Sequence, residues 1–92
     1  MGENELYVVV ETGGSPELIK GLGEYRLGRP FVFDNKEAAE KDCKKAAAPF
    51  EGYVTNCNYV VKTVAEAKAL FRDDYYRYEI DRLILLYGIK HK

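Results

Sequence analysis

The chain has 92 residues, of which 47% are hydrophobic and 32% charged, with a formal net charge of −1. This composition suits one globular domain spanning residues 1–92 and excludes a disordered or collagenous chain. The near-zero charge gives no field to hold nucleic acid or an anionic membrane, and no apolar run approaches the roughly 20 residues of a membrane span.

The chemical inventory is sparse. His91 is the single histidine, tryptophan is absent, and Cys43 and Cys57 are the two cysteines. Few groups remain for acid–base, nucleophilic or metal chemistry, so no catalytic residue, cofactor or metal site is expected. Met1 to Glu5 is acidic and has no signal-peptide h-region, so the chain is expected to be cytoplasmic with reduced thiols.

Leu6-Tyr7-Val8-Val9-Val10 reads as a strand, ended by Thr12-Gly13-Gly14. Its apolar residues are consecutive, which predicts a central strand covered on both faces. Residues 13–30 hold five of the eight glycines and two of the three prolines, and they read as a glycine-rich loop insertion. Within it, Ser15-Pro16-Glu17 predicts a short helix to about Lys20, ended by Gly21 and Gly23. Glu24 to Leu27 reads as a short edge strand.

A glycine turn between a strand and a helix can form a nest of backbone N–H groups that holds an anion. Gly13, Gly14 and Ser15 would build it, with Lys20, Arg26 and Arg29 nearby in sequence. No complete phosphate-loop or dinucleotide fingerprint accompanies them.

Phe31-Val32-Phe33 predicts a strand leading into a helix. Asp34 is the expected cap, with Glu37 closing a capping box. Glu37/Lys41 and Glu40/Lys44 are i,i+4 pairs in the favoured order. Ala39, Cys43, Ala46 and Ala47 form the inner stripe, and Pro49 stops the helix. Tyr53 to Lys62 alternates as a half-solvated antiparallel strand does.

Thr63 and Glu66 form a second capping box. Val32-x-Asp34-x-x-Glu37-Ala38 matches Val61-x-Thr63-x-x-Glu66-Ala67 at an offset of 29, which reads as the shared grammar of a strand–cap–helix joint.

From Val64 to Tyr87 the periodicity is helical, but the apolar stripe changes face. Val64, Ala67, Phe71, Tyr75 and Tyr78 share one side. Tyr76, Ile80, Leu83, Ile84 and Tyr87 share another, roughly opposite at about 100° per residue. The switch falls at Arg72-Asp73-Asp74, where either Asp can cap a new helix. Either the helix breaks there and its second half folds back, or one helix offers residues 75–89 to another subunit.

The fold expected is α+β. It has a small, mainly antiparallel sheet of three strands, or four if Glu24–Leu27 pairs, with helices mainly on one face, in the order β-(β)-β-α-β-α-α. The function expected is a small cytoplasmic interaction module without catalysis, binding itself or another protein. Tyr76, Ile80, Leu83, Ile84 and Tyr87 are the interface candidates. Acidic residues offset the arginines among Tyr75, Tyr76 and Tyr78, which favours a protein partner over nucleic acid. The alternative is a small-ligand or anion-binding unit, or an enzyme, built on Gly13, Gly14, Ser15, Lys20, Arg26 and Arg29, and a weaker alternative is a nucleic-acid accessory protein using the Arg/Tyr helix.

Overall fold

In the computed structural model, which describes residues 2–13, 18–23, 30–47 and 58–91, β1 (Tyr7–Thr12) is the hub of a five-stranded mixed sheet. One edge of β1 pairs along its whole length with antiparallel β4 (Asn58–Thr63). The other edge is shared. Its first half pairs with β3 (Val32–Phe33) and its second half with β2 (Ile19–Leu22), both antiparallel. The fifth strand, β5 (Ile89–Lys90), runs parallel to β3.

Side chains alternate across a strand, so Val8, Val10 and Thr12 point to one face of β1 and Tyr7, Val9 and Glu11 to the other. The first face meets α2 (Val64–Leu70) and α3 (Asp74–Tyr87) in a cluster that includes Leu6, Val32, Val64, Ala67, Phe71, Ile80 and Leu83. Val9, Phe33, Ala39 and Ala46 are buried outside that cluster. They mark the second face, which α1 (Lys36–Ala47) covers by packing on β4 and β1. The helices therefore flank the sheet on both sides. The consecutive valines of β1 are the reason, because each face has apolar surface to remove from water at about 25 cal/mol per Å².

Several joints follow the sequence grammar. Thr63 caps α2: its hydroxyl accepts from the Glu66 N–H, and Glu66 accepts from the Thr63 N–H, each at 3.0 Å. Asp73 caps α3 by accepting from the Tyr75 N–H at 2.9 Å.

Other joints differ from the expectation. Residues 15–17 of the helix expected up to Lys20 lie outside the described residues, and from Ile19 onward the chain is β2: the Gly13 N–H donates to the Leu18 carbonyl at 3.1 Å, and Ile19 pairs with Thr12. Tertiary pairing overrides the local helix signal, and Gly21 sits inside the strand rather than ending a helix. The cap of α1 is Asn35, whose side chain accepts from the Ala38 N–H at 3.0 Å. Asp34 is drawn away to the C-terminal segment, where its N–H donates to the Lys90 carbonyl and its carboxylate contacts His91. The 29-residue match thus does not align the two caps.

Strand β5 was not expected. Gly88 ends α3 at φ 72° with its N–H donating to the Ile84 carbonyl, and this left-handed turn sends Ile89 back beside Val32. Cys43 is half-buried, while Cys57, Pro49, the expected edge strand at 24–27 and the start of the alternating segment at 53–57 lie outside the described residues.

Candidate functional site

The helical register breaks at Phe71. Its backbone is extended, and α3 restarts at Asp74 after the Asp73 cap. Arg77 reaches back across the break, donating to the Phe71 carbonyl from Nη2 at 2.7 Å and Nε at 3.2 Å. The break turns α3 so that Tyr76, Ile80, Leu83 and Ile84 face the sheet. Ile80 and Leu83 are buried in the chain's own core, and Tyr76 and Ile84 pack against it. Ile80 and Leu83 are therefore used within the chain's own core, and Tyr76 and Ile84 are partly covered by it. Tyr87 remains exposed at the helix end.

The opposite side of α3 is the apolar surface that faces solvent. Tyr75, Tyr78, Leu85 and Leu86 are all exposed, Tyr78 by 74% and Leu85 by 85%. Tyr75, Tyr78, Arg82 and Leu85 are spaced by three, four and three residues, the a/d spacing of a helix–helix seam. Arg82 lies 3.3 Å from Glu79 of its own helix. In the sequence Leu85 and Leu86 stand out as apolar surface beyond the core stripe, but Tyr75 and Tyr78 are hidden from this face because they continue the core stripe of α2. The signal that separates them is the Asp73 cap.

A groove of about 530 Å³ lies between β2 and the α2–α3 joint. Leu18, Ile19 and Lys20 form one wall, and Leu70, Phe71 and Arg72 form the other, with Tyr76 and Arg77 of α3 between them. Tyr76 is fixed there by a tilted contact with Phe71 at 5.4 Å and an edge contact with Tyr75 at 5.3 Å. It also lies against Gly21, where a Cβ would come within 2.8 Å of its ring. Glycine at 21 thus makes room for the aromatic ring.

The structure joins Lys20 of the expected ligand set with Tyr76 of the expected interface set, in one groove. Gly13 is adjacent: the Lys20 side chain passes over it, within 2.6 Å of where a Cβ would stand. The Gly13 N–H is already bonded to Leu18, so it is not free for an anion. Gly14, Ser15, Arg26 and Arg29 lie outside the described residues. Arg72 joins Lys20 instead, and neither is paired with a carboxylate among the described residues.

Among the described residues, no group of three or more His, Cys, Asp or Glu side chains could hold a metal ion. Within the same residues no helix is long and apolar enough to cross a membrane. Comparison with protein-family models, curated proteins and solved structures finds no match to this chain.

Proposed function

We propose that this protein is a small interaction module that docks a second copy of itself through the solvent face of α3. The observation that carries this reading is the exposed a/d seam of Tyr75, Tyr78 and Leu85, flanked by Leu86. An exposed stripe of two tyrosines and two leucines, interrupted by Arg82, suits a docking surface. A helix with the same seam is its natural complement, and the second copy supplies one. The single charge in the seam, Arg82, is matched by Glu79 within its own helix, so burial need not strand an unpaired charge. The net charge of −1 puts little repulsion between copies.

Light scattering after size-exclusion chromatography tests this. The wild-type mass should double with rising concentration, and Leu85→Asp should give a folded monomer. A wild type that stays monomeric throughout would end the self-docking reading and leave the seam to a different protein.

A further inference from the structure

We propose that the groove between β2 and the α2–α3 joint binds a small aromatic phosphomonoester. Its size falls within the roughly 300–1,000 Å³ of small-molecule sites. Its lining draws cations from separate elements: Lys20 from β2, Arg72 from the joint and Arg77 from α3. Arg77 is committed to the Phe71 carbonyl and to Asp74 at 3.1 Å. Lys20 and Arg72 are uncommitted among the described residues, and two free cations match a phosphomonoester dianion better than a carboxylate.

The one carboxylate among the described lining residues, Asp73, turns one oxygen to the Tyr75 N–H as the cap of α3 and keeps its charge, which Lys20 and Arg72 outnumber. An aromatic body is indicated by the rest of the lining. The Tyr76 ring is held rigid by Phe71, Tyr75 and the backbone at Gly21, so an incoming ring meets a fixed platform. Leu18 and Leu70 stand 54% and 44% exposed on facing walls, and a bound ring would remove both from water.

Tyr78, Leu85 and Leu86 of the docking face do not line the groove, but Tyr75 braces Tyr76, so binding is measured at a protein concentration where light scattering gives the monomer. Phenyl phosphate is the probe, with inorganic phosphate, phenol and benzoate as comparisons, followed by amide chemical shifts of the ¹⁵N-labelled protein. Saturable shifts are expected at residues 18–20 and 70–77, with phenyl phosphate binding at least about tenfold tighter than each comparison. Lys20→Ala and Arg72→Ala should each weaken it about tenfold, the effect of losing one charge-assisted hydrogen bond. Both side chains are exposed, so both variants should keep the dispersed spectrum of the fold. Lys44→Ala, on α1, should change nothing. No saturable shift at about 10 mM probe, where even a millimolar site is mostly filled, would overturn the proposal. So would phenol binding as tightly as phenyl phosphate, or unchanged affinity in both variants.

Discussion

Arg77 holds the carbonyl of Phe71 with two donors of one guanidinium, across the point where α2 ends and α3 begins. A carbonyl at a helix end lacks an intrahelical partner, and here a side chain six residues downstream supplies one. The bond fixes the angle at which α3 returns to the sheet.

Arg77→Ala should therefore destabilise the domain by about 1–2 kcal/mol, because it removes a charge-assisted bond at a part-exposed site. Arg77→Lys should recover only part, since an ammonium cannot donate as a fork. Urea unfolding followed by circular dichroism measures both; equal stability of all three proteins would contradict this role.

Leu83 and Leu85 are two residues apart but face opposite media. Leu83→Ala should cost about 2–5 kcal/mol through the cavity it leaves in the core. Leu83→Asp should abolish cooperative unfolding, because it buries an unpaired charge. Leu85→Asp should leave the unfolding transition within about 0.5 kcal/mol of the parent monomer. Thermal melts of the three variants at low concentration separate these outcomes.

Removing the Thr63 cap should cost about 1 kcal/mol, as measured by thermal melts of Thr63→Ala. The Thr63 N–H and hydroxyl also hold the Glu66 carboxyl below its ordinary value of 4.5. A depressed carboxyl stabilises the fold above that ordinary value, and the contribution fades as pH falls through the folded one. Relative to Glu66→Gln, wild type should lose stability as pH falls below about 4.5, and parallel pH profiles would contradict the box.

Lys68 bridges Glu3 at the N-terminal end and Asp81 on α3, the latter at 2.6 Å. Burial alone would lower its pKa, but the hydrogen bonds to Asp81 and Glu3 outweigh that and raise it above 10.5. A raised lysine stabilises the fold fully below its ordinary value and ceases to do so as pH climbs through the folded one. Lys68→Met should cost less than about 1 kcal/mol at neutral pH, because both carboxylates are at least half exposed. The difference from wild type should shrink in alkaline unfolding as pH climbs past 10.5.

Cys43 lies on the half-buried side of α1. Burial, and then the charges of Asp42 and Glu40, push its thiol pKa upward. Its thiolate should be scarce at neutral pH. In a Cys57→Ser background, a disulfide reagent should label it slowly in the native state and rapidly in denaturant.

Local grammar made much of this fold legible. The consecutive valines of β1, the Thr63–Glu66 box and the Asp73 cap all act through neighbours within a few residues, and each stands where its residues imply. Strands β2 and β5 were not legible. Ile19 and Ile89 become strand only through Thr12 and Val32, distant partners that no local pattern names. The face switch at Asp73 was readable, but its outcome depended on whether the sheet had room for Ile80 and Leu83. For the groove, Lys20 and Tyr76 belonged in the sequence to separate hypotheses. What unites them is the return of α3 over Gly21.

The position of β1 also sets a problem for synthesis. The partner that seals its whole second edge, β4, is made some fifty residues after it. Until then three consecutive valines stand on an open strand edge, the arrangement that recruits a neighbouring chain. Nascent chains halted before Asn58 should therefore aggregate or call on holding chaperones. Those extended through α3 should release them, because only then can both faces and the full edge of β1 be closed.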